Sequence, residues 1–325
     1  MGTDGAAGAG GTRGAPGSLE VAGRRVGEVL DGTDLPRAWS PRPFVHPVRT
    51  LGGVVLTDRG PDDHAWHSGL GIALPDVDGV NCWGGPTYVP GAGYRWQDDH
   101  GVATVESGFG SVASGSGSVA SGSGSVASGS GSVASGSGSV ASGSVASASG
   151  SVASASVECG ASDRSRLRVG IVWRGPGGDP LLHEDRTLAW GPALEGWQVT
   201  WTSSFRAAGG RRVVLGSPGS HGRTGAGYGG WFLRFARCTD VVVRTPDGSG
   251  EDQVHGSITP WVSWTGSFDG GRAHVLVEAL DHRDPWFVRV AEYPAVGSAL
   301  AWDFPTVVAP DEPLVRSFRV TVSDA

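Results

Sequence analysis

The sequence predicts an all-β fold, a large antiparallel β-sandwich, and three observations carry that prediction. Segments of five to nine residues, 241–245 (VVVRT), 272–280 (RAHVLVEAL), 286–293 (WFVRVAEY) and 317–324 (SFRVTVSD), alternate or run apolar and are rich in Val and aromatics. Turn signals separate such runs, at 174–180 (RGPGGDP), 207–212 (AAGGRR), 246–250 (PDGSG) and 268–271 (FDGG). Finally, 56 glycines and 20 prolines leave few stretches able to sustain a helix.

Along the chain, residues 1–18 form a Gly/Ala-rich tail that builds no core and has no apolar stretch of the kind a secretory signal needs. The segment 19–30 (LEVAGRRVGEVL) is the best helical candidate, and its valines suit a strand equally well. Residues 111–156 repeat SVASGSG and then decay to shorter variants. Its Gly/Ser content, without large apolar a/d positions, predicts a disordered linker rather than a coiled coil. Strand-like runs flank it, 101–107 (GVATVES) and 166–175 (RLRVGIVWRG), so residues 19–325 are expected to form one sandwich domain interrupted by an expanded loop. Roughly 260 residues remain to build the core, ample for one sandwich.

Composition excludes several function classes. The formal charge is −7 with no basic block, which argues against nucleic acid as a partner. No run of about 18 apolar residues occurs, so no membrane partner is expected. The three cysteines, Cys82, Cys159 and Cys238, are widely spaced and form no CxxC pair. That argues against a disulfide framework or a cysteine zinc site and makes a cytoplasmic protein the expectation. Neither a GxSxG elbow nor a Walker lysine is present.

The densest chemistry lies in residues 41–85, where His46, Arg49, Asp58, Asp63, His64, His67 and Asn81 are interleaved with glycines and tryptophans. Four of the nine histidines, His46, His64, His67 and His100, fall in or just after it. In Asp63-His64-Ala65-Trp66-His67 the two imidazoles point to opposite sides of a strand, so a turn is needed to converge them. Arg59-Gly60-Pro61 supplies one. Three readings follow: metal ligation with a third residue, a metal-free polar pocket, or imidazoles satisfying turn backbone. HxxH lacks the logic of a helix-borne HExxH zinc site, and no metal ligand is assigned.

Residues 76–85 imitate a calcium loop for three positions but lack the acid at the twelfth. Asp78-Gly79 is better read as closing a hairpin, with Asn81 capping it or lining a pocket. The glycine cluster at 225–230 suits a bend or a ligand wall. His183-Glu184-Asp185-Arg186 and Glu292 offer carboxylates for acid–base work. Asp281-His282-Arg283-Asp284 reads as a charged surface turn.

Six blocks taken in order, RPFVHPVRT, DHAWHSGLGIALPDVDGVNCWGG, GRTGAGYGGWFLR, HGS, PWFVR and EYPAVGSALAW, resemble the bacterial PmoA-like family of unknown function. That family is named for a membrane subunit of methane monooxygenase, from which the lack of apolar spans separates this chain. Its members typically carry a denser run, DH-x-HH, where this chain has Trp66 in place of a histidine, which argues against a three-imidazole metal site. The resemblance implies carbohydrate-related chemistry. The expected sandwich is also similar to the supersandwich of the aldose epimerases, whose sites use histidines and a carboxylate on an open sheet face.

The expectation is a protein that binds or acts on a carbohydrate or polyol, with His64, His67 and Glu292 as catalytic groups. His46, Arg49, Asn81, Trp83, Tyr228 and His255 are expected to bind the ligand. Trp83 and Trp231 are candidates to stack on a sugar ring. The alternatives are a non-catalytic carbohydrate-binding module and a metal-dependent oxidoreductase. No cofactor is assigned.

Overall fold

The first described segment folds back on itself at Ala22-Gly23, both at positive φ (50° and 71°), so 19–30 is a β-hairpin and not a helix. The computed structural model describes residues 17–107 and 165–325. Gly17 is described and Ser18 already belongs to the first strand; residues 1–16 of the expected disordered tail, and the whole repeat at 111–156, lie outside the described residues.

The strands in chain order are β1 (Ser18–Val21), β2 (Arg24–Leu30), β3 (Phe44–Val45), β4 (Leu70–Val77), β5 (Val80–Cys82), β6 (Thr87–Val89), β7 (Gly93–Arg95) and β8 (Val102–Ser107). Next come β9 (Ser165–Arg174), β10 (Pro180–Pro192), β11 (Trp197–Ala207), β12 (Val213–Gly216), β13 (Gly230–Arg234) and β14 (Cys238–Arg244). A short helix α1 (Glu251–Val254) precedes β15 (Trp261–Phe268), β16 (Gly271–Ala279), β17 (Trp286–Arg289), β18 (Ala295–Ala299), β19 (Thr306–Val308) and β20 (Leu314–Asp324).

These strands make two large antiparallel sheets. One runs β14-β15-β16-β20-β11-β10-β9-β8. Its last pair, with Val102 opposite Arg174, joins the two runs that flank the serine-rich repeat. The other follows β1-β2-β3-β4-β13-β18-β17, with β5 and β12 also on β4 and β19 on β12. Hairpin β6–β7 stands apart from both.

Period-two burial on β11, β15 and β16 turns Trp197, Val199, Trp201, Val262, Trp264, Val275 and Val277 into a core shared by the two sheets. Trp231 of β13 stacks on Phe318 of β20 at 5.1 Å, and Phe235 on Trp264 at 4.5 Å. Each such ring pair adds about 0.5–1.5 kcal/mol beyond its burial. Trp231 is therefore core packing and not a sugar platform, because its position on β13 faces the opposing sheet. Alternation also carries Glu184 and Arg186 inward on β10, where Glu184 accepts from Arg186, Trp173 Nε1 (3.0 Å) and Ser203 Oγ (2.6 Å). Neither is a solvated acid or base. His282, expected at the surface, has its side chain only 5% exposed between Asp281 and Asp284, packed on Phe318.

The centre of the second sheet is buried on both faces: every residue of β13 and β18 is buried. Inward go Val45, Leu70, Leu233, Val296 and Val288. On the outer face, one row across five strands reads Phe44, Gly71, Phe232, Gly297 and Phe287. A Cβ at Gly297 would sit 3.2 Å from Phe232 Cδ2, so the glycine leaves room for the neighbouring ring. Loops cover this row with a second aromatic cluster and enclose the candidate site.

Candidate functional site

A cavity of about 270 Å³ opens above this row, lined by His64, Trp66, His67, Trp83, Tyr94, Arg223, Tyr228, Phe287, Arg289, Glu292 and Tyr293, with Gly84 and Pro86. Its apolar floor includes Phe287, with Phe232 packed behind Trp83 and His67, both outward residues of strands whose neighbours carry glycine.

The two imidazoles are converged by successive turns. His64 N–H donates to Pro61 O (3.1 Å), His67 N–H to His64 O (2.9 Å), and Gly60 N–H to His67 O (2.9 Å). The rings then stack, centroids 4.7 Å apart and planes 12° from parallel. His67 is 1% exposed, with Trp83, Phe232 and Tyr293 edge-on around it. The Nδ1 atoms of both rings are buried without a hydrogen-bond partner, and His64 Nδ1 lies 3.4 Å from Asp63 Oδ1 in poor alignment. Asp63 itself accepts two hydrogen bonds from Arg234 Nη2 (2.8 and 2.7 Å), whose guanidinium lies over the Tyr293 ring at 4.9 Å.

Gly84 and Gly85 shape the opposite wall. Both take positive φ (100° and 69°), and a Cβ on Gly85 would lie 2.4 Å from Trp66 Cε2. Asn81 holds this bend, accepting from the Trp83 (2.9 Å) and Gly84 (2.8 Å) N–H groups and donating to Gly85 O and Thr87 Oγ1. The Asp78-Gly79 turn expected before it is present, with both residues at positive φ between β4 and β5. Further round, Arg223 donates to Tyr94 Oη (3.0 Å), which lies 3.1 Å from Tyr228 Oη.

The expected site residues divide. His64, His67, Trp83, Tyr228 and Glu292 meet in the cavity. Asn81 lies behind the wall as the organiser of the bend and lines an adjoining cavity. His255 supports from outside: its Nδ1 accepts from Val288 N–H (3.2 Å), so Nε2–H donates to Gly225 O (2.8 Å), and Arg289 Nη1 lies 3.0 Å from Nδ1 and 3.1 Å from Nε2. His46 and Arg49 do not reach the cavity. His46 Nδ1 bonds Thr57 Oγ1 at 3.0 Å beside β3, and Arg49 bridges to Val55 in the following loop. Proximity in sequence misplaced them, since the chain turns away from the site after β3. Tyr94, Arg223, Arg289 and Tyr293 were not singled out from the sequence; the last three sit inside the blocks GRTGAGYGG, PWFVR and EYP.

Burial sets the electrostatics. It lowers His64 below the usual imidazole value, with Asp63 opposing, and drives His67 well below it, reinforced by His64 and Arg234. Both rings are therefore neutral near pH 7, each offering one donor and one acceptor. Burial also raises Tyr228 well above the phenol value, with Tyr94 adding to it, and raises Tyr293. For Asp63, burial pushes the carboxyl up, but the hydrogen bonds and charge of Arg234 outweigh it and hold it down. Charge is confined to the rim, where Arg289 Nε lies 3.8 Å from Glu292, a carboxylate 73% exposed. Among the described residues, no group of three or more His, Cys, Asp and Glu is arranged to hold a metal ion. The arrangement can stack a ring on aromatic faces, exchange hydrogen bonds with hydroxyls, and take or give a proton at a neutral imidazole.

No helix among the described residues is long and apolar enough to cross a membrane. No curated protein matches the chain. A family model described as "Family of unknown function (DUF6807)" matches residues 18–123 and 137–325, and carries no link to the PmoA-like family that the sequence blocks resemble. The chain thus belongs to the DUF6807 family of unknown function.

Proposed function

We propose that the protein binds a neutral carbohydrate or polyol in this cavity and acts on it by proton transfer. One observation carries the reading: a stacked pair of imidazoles, His64 and His67, forms one wall of an aromatic cavity that has an exposed carboxylate, Glu292, beside Arg289 at its rim. A sugar presents an apolar C–H face and a belt of hydroxyls. Trp66, Trp83 and Tyr293 suit the face; His64, Tyr228, Arg289 and Glu292 suit the belt. In this reading His64 is the proton acceptor, placed by the turn that carries it and by its stack on His67, and Glu292 its counterpart at the mouth. The resemblance of the sequence blocks to the PmoA-like family points to the same class of ligand. Among the described residues Cys82 and Cys238 are free thiols, which fits a cytoplasmic setting.

A non-catalytic binding module is the second reading, favoured by the exposure of Glu292 and the complete burial of His67. Calorimetry against neutral sugars, paired with detection of converted sugar by proton NMR, tests both. An enzyme loses turnover in Glu292→Gln and His64→Asn with modest loss of affinity. A binder shows altered affinity and no product from any variant or from the parent. Failure of every neutral sugar to bind removes the proposal.

A further inference from the structure

We propose that a second cavity beside the first receives the next ring of the same ligand, so that the ligand is an oligosaccharide or glycoside of at least two sugar rings. This extends the sugar reading above and rests on it. The second cavity measures about 200 Å³ and shares Trp83, Gly84, Pro86 and Tyr228 with the first. Trp83 and Tyr228 pack at 4.7 Å with their planes tilted by 48°, so the two cavities meet along one aromatic ridge. A single ring fills one side of that ridge; a linked pair of rings uses both.

The lining of the second cavity is suited to a sugar ring. Pro75 and Pro218 give it rigid apolar walls; of its polar side chains, Asn81, Thr87 and Ser217 are engaged in protein hydrogen bonds, and Asp76 and His221 form a built pair. Asp76 Oδ2 lies 2.6 Å from His221 Nε2, while Oδ1 accepts the Gly79 N–H at 2.6 Å. With both oxygens engaged, the carboxylate fixes the ring so that Nε2–H points at it and Nδ1 is left to accept from a hydroxyl. Gly216 lies directly opposite Asp76 in the β4–β12 register. A Cβ there would sit 2.4 Å from Asp76 Oδ2 and 3.1 Å from His221 Nε2. The strand is thus bare at the point where the imidazole of a following loop crosses to the carboxylate. Apolar walls for the C–H face and one oriented acceptor for a hydroxyl are what a neutral pyranose requires.

The test is calorimetry on the full chain with matched sugars: glucose against maltose and cellobiose, galactose against lactose, and mannose against mannobiose. At least one disaccharide is expected to bind about tenfold or more tightly than its own monosaccharide. In His221→Ala, and separately in Asp76→Asn, the ratio of disaccharide to monosaccharide affinity should fall towards one. Because His221 is half-exposed, its replacement tests the pair without threatening the fold. Equal binding of mono- and disaccharides by the parent, or a ratio that survives both substitutions, overturns the two-ring proposal and leaves the single-cavity reading standing. Absence of binding by sugars of either length overturns both.

Discussion

His64 and His67 lie face to face, ring centroids 4.7 Å apart and planes 12° from parallel. Two stacked imidazolium ions at that distance would repel, so the pair is stable only with at least one ring neutral, and burial keeps both that way. The stack therefore commits the cavity to neutral-imidazole chemistry.

That commitment has a pH signature. The folded pKa values of His64 and His67 are lowered by burial, and His46 is lowered to about 4, also by burial, with Arg59 adding to it. In the unfolded chain these groups titrate near 6.5. Below that value the unfolded state takes up protons that the folded state refuses, so stability falls as pH drops from about 6.5 towards 4 and is unaffected above it. The Asp63 pKa is lowered too, Arg234 outweighing the upward push of burial, and its contribution is lost only below about pH 4, so the two losses follow one another as the pH falls. Melting curves across this range should show the decline, and His67→Asn should make it shallower, the other histidines lowered by burial (His46, His64, His255, His274 and His282) supplying the rest.

Arg234 is 1% exposed, and the carboxylate it bonds is Asp63. Asp63→Asn leaves the guanidinium buried without its charge partner and should cost about 1–3 kcal/mol in urea denaturation. The same substitution removes the group that opposes the downward shift of His64, so the His64 pKa, read by NMR, should fall further.

Glu184→Gln tests the tie between the sheets. Arg186 donates both to Glu184 and to Pro43 O (2.9 Å), just before β3 of the other sheet, and Glu184 is 1% exposed. Neutralising the carboxylate strands a buried cation, and the expected loss in denaturant is about 3–5 kcal/mol.

Gly85→Ala probes the cavity wall. The added methyl meets the Trp66 ring at a backbone φ of 69°. A loss of about 1–3 kcal/mol is expected, together with an altered tryptophan near-UV spectrum as Trp66 is displaced.

Much of the fold was legible because alternation on strands such as 272–280 and 317–324 is direct evidence of one buried face. Their counterparts β16 and β20 lie where the pattern put them. The hairpin at 19–30 was ambiguous because Ala22-Gly23 lacks the Asn-Gly or Asp-Gly signature of such turns. Within the site, the need for a turn at 61–67 could be reasoned from the HxxH spacing, and the turn is there. Arg234 and Tyr293 could not be read, since their roles depend on β13 lying beside β18 and on the loop that follows β17. His46 and Arg49 misled for the converse reason: closeness along the chain says nothing about which side of a strand the next loop takes. Trp231 and Phe232 are adjacent in sequence, yet one belongs to the inter-sheet core and the other to the aromatic cluster that supports the cavity.

The central claim, that the His64–His67 cavity is where a sugar binds, is tested most directly by titrating the full chain with the neutral mono- and disaccharides above while following its nine histidine side chains by heteronuclear NMR. The account predicts saturable shifts at His64 and His67, with His46, His183 and His274 unmoved. Saturable binding that leaves His64 and His67 unshifted, or no shift with any sugar, would contradict it.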